Sequence, residues 1–197
     1  MAALGRPPLP RNVFSFEAPD RPIPDLVTLD TSFVVNALLS AERHHIAARQ
    51  FLQILATNNT TLVYNHLLEL ELREVAFRLP IRDAYPKDWR RRRHDGRTLR
   101  RARRLVAETM SAWEQLLTAF AYAVVQVDAV YDRVPELMGR HGLASYDAVH
   151  AATAEAYGGS GIVTTDARFA SVPSSRLTLY VDAGRLASCR RMRARGR

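Results

Sequence analysis

Four carboxylates occupy positions from which a fold could gather them. Asp30 directly follows a short apolar run, Glu71 lies inside a helical pattern, Asp147 opens an Ala-rich helical pattern, and Asp166 comes just past another apolar run. Singly, each has an ordinary use: Asp caps helix N-termini, and acids suit first turns and exposed faces. Together in one cleft they would repel one another unless a cation joined them or some took up protons. An all-oxygen set without Cys or paired His selects a hard ion, Mg2+ or Mn2+, over zinc. Such an ion lowers the pKa of a bound water and stabilises in-line displacement at phosphorus. The chemistry indicated is phosphodiester hydrolysis.

Helical arithmetic picks the glutamate. Leu68, Leu72, Val75 and Leu79 form an apolar stripe. At ~100° per residue Glu71 lies about 70° from the centre of that stripe, Glu69 about 90° and Glu74 about 130°. Glu71 is therefore the candidate.

The elements that would position these acids alternate. Strand-length apolar runs occur at 26–30, 61–64, 124–127, 162–164 and 177–181. Helical patterns occupy 31–41, 44–56, 65–79, 98–122, 130–140 and 144–157, with Pro80 and Pro86 predicting a break after the third. This alternation predicts an α/β fold with a mostly parallel sheet. Ligands of such sheets bind beyond the carboxyl ends of the strands, which puts Asp30 and Asp166 on one edge.

Composition bounds the rest. At 197 residues, 47% hydrophobic, the chain can bury one sizeable core. Residues 1–25 read as an extended proline-rich arm, 26–182 as the folded domain with a basic helical insertion at about 80–123, and 183–197 as a basic tail. The longest apolar stretch, 119–127, is broken by Gln126 and is about half the ~20 residues a membrane span needs. The first residues lack an apolar leader segment, and Cys189 is the lone cysteine, so no disulfide or Cys-based zinc site is expected within one chain. A cytoplasmic protein with no membrane partner is the expectation.

The net charge of +8 is unevenly placed. Lys87 to Arg104 holds ten basic residues against two acids, and Arg185 to Arg197 adds six arginines. The remainder is acidic. Arg90, Arg91, Arg92, Arg93, Arg97, Arg100, Arg101 and Arg104 are candidates for an RNA backbone contact, with an acidic protein partner or a solvated loop as alternatives. Trp89 beside them could stack on a base or pack under a loop. His44 and His45 point about 100° apart on a helix and read as a solvated helix start rather than an acid–base pair. His150, three residues after Asp147, reads first as a packed or surface histidine, with a group that tunes the site as the alternative, and Arg168 as a contact for either a substrate phosphate or a neighbouring acid.

Four segments carry a resemblance. Leu29-Asp30-Thr31-Ser32, Glu71, Ser145-Tyr146-Asp147-Ala148-Val149-His150-Ala151-Ala152-Thr153-Ala154 and Val163-Thr164-Thr165-Asp166-Ala167-Arg168-Phe169 resemble the successive motifs of PIN-domain nucleases. Their order is similar to that of VapC-type toxins of bacterial toxin–antitoxin pairs. The resemblance spans about Leu26 to Val181, and its last two motifs are the most specific. It implies a PIN-like α/β/α sandwich and a Mg2+-dependent endoribonuclease. On it, Asp30, Glu71, Asp147 and Asp166 form the catalytic, metal-holding site, and Ser32 and Thr165 support it. It further implies a homodimer and control by an antitoxin. The residues themselves also leave open a non-catalytic nucleic-acid-binding protein, or a metal-dependent nuclease acting on structured DNA. The arm before Leu26 and the basic stretch after Leu79 depart from a compact toxin of this family.

Overall fold

Period-two alternation along short strands builds the centre of the molecule. Val27 and Leu29, Leu62 and Tyr64, Val163 and Tyr180 feed one core, while Val63, Ile162, Leu179 and Val181 feed the other. A sheet with two apolar faces must be covered on both, and here helices cover both. The computed structural model describes residues 12–92 and 94–195.

The described chain runs β1 (Val13–Ser15), β2 (Leu26–Leu29), α1 (Thr31–Leu38), α2 (His45–Thr57), β3 (Thr61–Asn65), α3 (His66–Ala84), α4 (Gly96–Leu117), β4 (Tyr122–Val125), a 3-10 turn (Val127–Arg133), α5 (Val134–His141), α6 (Ser145–Tyr157), β5 (Gly161–Val163), a second 3-10 turn (Ala167–Ser171), β6 (Thr178–Val181) and α7 (Ala183–Arg195). The strands form one sheet in the order β1-β6-β5-β2-β3-β4, and every pairing is parallel. The expected α/β/α sandwich is the fold observed. Residues of α1–α4 pack one face and those of α5–α7 pack the other.

The chain moves outward from β2 to β3 and β4, then returns to place β5 on the other side of β2. Strand order therefore reverses between β2 and β5. Asp30 follows one of these strands and Asp166 the other, so the two acids flank the switch point where such sheets bind ligands.

Three departures from the sequence reading have physical causes. The arm is not wholly an appendage, because Val13–Ser15 adds an edge strand beside β6. The tail is not one either: α7 buries Cys189 and Arg193 against the sheet edge, and Arg190 and Arg193 donate to the carbonyls of Val13 and Asn12. Helix α3 does not break at Pro80 but runs on to Ala84. A mid-helix proline costs about 3 kcal/mol, and burial of Pro80 and Ile81 beside the antiparallel α4 offsets it. Of the arm, residues 1–11 lie outside the described residues, as does Arg93. No described helix is long and apolar enough to cross a membrane.

Candidate active site

Asp30 ends the β2 segment as the N-cap of α1 and is 4% exposed. All three hydrogen bonds described for its carboxylate fall on Oδ2. They come from the Ser32 backbone N–H (3.3 Å), the Ser32 hydroxyl and the Thr164 hydroxyl (2.7 Å). Oδ1 receives none of them. The Ser32 hydroxyl, which donates to Asp30, also accepts from the backbone N–H of Thr165 (2.9 Å). The side chain that grips Asp30 is Thr164, not Thr165, and Thr164 also accepts from the Asp166 N–H (2.9 Å). Sequence reasoning missed Thr164, although a buried hydroxyl at the end of β5 was there to be found.

Glu71 projects from the second turn of α3. Its Oε2 accepts from the Thr31 hydroxyl (2.6 Å) and lies 2.8 Å from Nε2 of His150. Neither rival glutamate takes this place. Glu69 accepts from the Trp113 indole (3.3 Å) and pairs with Arg73, and Glu74 pairs with Arg78. His150 is a packed histidine, 1% exposed, and it is also bonded to the candidate acid. Burial pushes its imidazole down, but the Glu71 hydrogen bond and the charges of Asp30, Glu71 and Asp147 outweigh this and raise it above 6.5. Burial likewise pushes Glu71 up, yet His150 and Thr31 draw it below its usual range. Both shifts run in the direction that favours the charged forms of the pair.

Asp147 lies in the first turn of α6, whose buried Ala148, Ala151, Ala152 and Ala154 let the helix approach the sheet closely. Its Oδ2 is buried and makes no hydrogen bond, standing 3.3 Å from Nη1 of Arg168. Burial raises the Asp147 carboxyl above its usual value. The charges of Asp30 and Asp166 add to this, while Arg168 and His150 oppose it. Asp166 N-caps the 3-10 turn after β5 and accepts three hydrogen bonds from Arg168, from its backbone N–H (2.9 Å), its guanidinium Nε (2.9 Å) and its Nη2. Burial opposes its ionisation, and Arg168 with Arg185 overcomes that and lowers it. Asp147 feels the charges of Asp30 and Asp166, and His150 links Glu71 to the group, since it bonds Glu71 and feels the charges of Asp30 and Asp147.

Among the described residues, no three His, Cys, Asp or Glu side chains are closed around one cation position. The cation that stands between Asp147 and Asp166 is the Arg168 guanidinium. The donor chemistry nonetheless fits a hard divalent ion. It offers carboxylate oxygens, among them Asp30 Oδ1, which receives none of the described hydrogen bonds, and the buried Asp147 Oδ2, which receives no hydrogen bond and faces only the Arg168 cation.

The basic candidates lie elsewhere. Arg90, Arg91 and Arg92 sit in the turn between α3 and α4, and Arg97, Arg100, Arg101 and Arg104 on the first half of α4, all exposed. From Glu71 along α3 to Ala84 is ~20 Å at the helical rise, so these arginines flank the acidic mouth rather than line it. Trp89 is half-buried, with the guanidinium carbons of Arg78 and Arg90 5.7 and 5.4 Å from its ring centre. His44 is held between Glu17 and Asp182, away from any acid–base pair with His45.

Two comparisons bear on this geometry. A family model described as PIN domain matches residues 27–174, a span that contains all four acids. No curated protein matches the chain.

Proposed function

The chain belongs to the PIN domain family, whose fold is that of metal-dependent nucleases, and from that premise we propose a Mg2+- or Mn2+-dependent endoribonuclease acting as the toxin of a toxin–antitoxin pair. The observation that carries the reading is the approach of Asp30, Asp147 and Asp166 beside the strand-order switch, with Glu71 joined to them through His150.

Asp30, Asp147 and Asp166, with Glu71, would hold the metal. Bound there, a hard divalent ion supplies Lewis acidity for hydrolysing a phosphodiester. The protein's own groups prepare the place. Thr164 and Ser32 fix one oxygen of Asp30, which leaves the other without a described hydrogen bond. Thr31 and His150 hold Glu71 in its ionised form, ready as a ligand or as an acceptor for a water proton. Asp147 keeps an oxygen that receives no hydrogen bond and faces Arg168 Nη1 at 3.3 Å. The hydroxyls nearby are engaged as donors, Ser32 and Thr164 to Asp30 and Thr31 to Glu71, which favours direct attack by water and products with a 5′-phosphate and a 3′-hydroxyl. The exposed arginines of the α3–α4 hairpin supply positive potential for an RNA backbone entering the mouth.

The proposed partners are RNA, a second copy of the chain and an antitoxin. A groove of about 690 Å³ between α2 and α4, lined in part by Leu38, Ile46, Leu116 and Phe120, supports a protein partner, since Ile46 is 73% exposed.

The test is cleavage of a pool of structured and single-stranded RNAs with Mn2+, Mg2+ or EDTA, comparing wild type with Asp30→Asn and with DNA at equal metal. Metal-dependent cleavage by wild type alone, leaving 5′-phosphate ends, is the expected result. RNA binding without cleavage would favour the non-catalytic reading, and preferential cutting of structured DNA the repair nuclease.

A further inference from the structure

Among the described residues, Arg168 is the one side chain that forms ion pairs with two of the four acids. It is the second residue of the second 3-10 turn, two residues after Asp166, so its backbone N–H and side chain both reach that carboxylate. Its Nη1 extends 3.3 Å from Asp147 Oδ2, an oxygen that receives no hydrogen bond from any group. The guanidinium therefore stands where positive charge is wanted by acids from two elements. Yet its side chain is 59% exposed, so leaving would cost little desolvation in reverse and little packing.

We infer that Arg168 is the resident counter-ion of the site, competing with divalent metal for Asp147 and Asp166 and swinging outward when metal binds. This rests on the metal-site reading above. A guanidinium and a divalent ion cannot share the space between two carboxylates, so each occupies it at the other's expense. The exchange has two consequences. In the metal-free protein Arg168 offsets the repulsion among Asp30, Asp147 and Asp166 that would otherwise strain the carboxyl edge. In the metal-bound protein its charge is released to solvent at the mouth, where an anionic phosphodiester would meet it. Metal then strengthens substrate binding, and substrate strengthens metal binding by the same factor.

The experiment is calorimetric titration of the full chain with MnCl2 at low salt, without nucleic acid. Wild type, Arg168→Ala, Arg168→Gln and Asp147→Asn are compared, with Arg185→Ala as a control. Arg185 also draws Asp166 down by its charge, but no hydrogen bond ties it to that carboxylate. Both neutral Arg168 variants should bind Mn2+ about 3- to 10-fold more tightly than wild type, the strength of a partly exposed double ion pair. Arg185→Ala should change affinity less than about 2-fold, as a screened charge would. Equal or weaker Mn2+ binding by both Arg168 variants, with wild-type binding lost in Asp147→Asn, would overturn the counter-ion while leaving the metal site standing. An equal gain in Arg185→Ala would also overturn it, since the effect would then be one of field and not of occupancy. No Mn2+ binding by any variant would overturn the metal reading, and the counter-ion with it. Circular dichroism on each variant separates these results from misfolding.

Discussion

Glu71 Oε2 stands 2.8 Å from Nε2 of His150, a histidine sealed beneath the acidic mouth. Each group alone would resist burial of its charge. Paired, each shifts the other toward its charged form, and His150 Nδ1 lies 3.4 Å from the amide nitrogen of Asn65, which also donates to Thr153 (3.1 Å). A side chain on α3 is thus locked through α6 to the end of β3. Replacing His150 with Gln should leave the fold intact but free Glu71 to rotate. A loss of about 10- to 100-fold in activity or metal affinity is expected, as for other groups that orient a ligand. Unchanged rates and unchanged Mn2+ affinity in His150→Gln would show that Glu71 needs no such anchor.

The same pair sets a pH window for stability without metal. The folded imidazole is raised above 6.5, so its contribution is fully present below that value and is lost as pH rises through the folded pKa. The folded carboxyl of Glu71 is lowered below 4.5, so its contribution is present above that value and is lost as pH falls through the folded pKa. The pair is therefore most stabilising between these two ordinary values. Thermal melts in EDTA should show wild type exceeding His150→Gln most in that interval, with the gap closing in alkaline buffer. A gap that stays constant from about pH 5 to about pH 9 would contradict the pairing.

How far the sequence disclosed this site depends on the kind of signal each residue carries. Asp30 and Asp166 were legible because short apolar runs mark strand ends, and parallel strands must present those ends together. Glu71 was legible because helical angles separate it from Glu69 and Glu74. His150, Thr31 and Thr164 were not, since their roles come from side chains that meet across α1, α3, α6 and β5. No spacing in one dimension encodes that meeting. β1 and α7 were hidden for another reason. A three-residue strand beside prolines has no periodicity, and six arginines mask the one stripe that buries Cys189.

Asp147 should trade stability for function. Its folded carboxyl is raised, by burial first and then by Asp30 and Asp166, so its ionised form works against folding at neutral pH. The neutral isostere Asp147→Asn should therefore melt at a higher temperature than wild type in EDTA, while losing the upward shift that Mn2+ confers on wild type. A lower melting temperature for Asp147→Asn in EDTA would mean that its contact with Arg168 outweighs the burial and repulsion.

Gly158 ends α6 where the helix passes β2. A Cβ at this position would lie 2.0 Å from the Thr28 hydroxyl oxygen and 3.0 Å from the Ala154 Cα. Thr28 is fully buried in a strand and cannot retreat as a flexible side chain would. Gly158→Ala should cost about 1–3 kcal/mol by overpacking, read as a lower midpoint in urea. It should also lower activity, because α6 carries both Asp147 and His150. Wild-type stability in this variant would mean that α6 can slide without cost.

The α3–α4 hairpin makes the last prediction, and it separates binding from chemistry. Arg97, Arg100, Arg101 and Arg104 are exposed on one half of α4, and of these only Arg104 has a described carboxylate partner, Glu108 at 3.4 Å. Unpaired guanidinium groups on a helix about 20 Å from the acids can reach phosphates several nucleotides from the cut. Each phosphate neutralised on a single strand contributes about 0.7 to the slope of log affinity against log salt. Replacing Arg97, Arg100 and Arg101 with Ala should lower that slope by about 2 and weaken RNA binding at low salt. At saturating RNA, however, the cleavage rate should stay near wild type, because none of the three touches the carboxylates. Asp30→Asn should show the reverse: an unchanged salt slope and no cleavage. If the triple variant keeps the wild-type slope, the hairpin does not carry the RNA, and an acidic protein partner becomes the better reading of its charge.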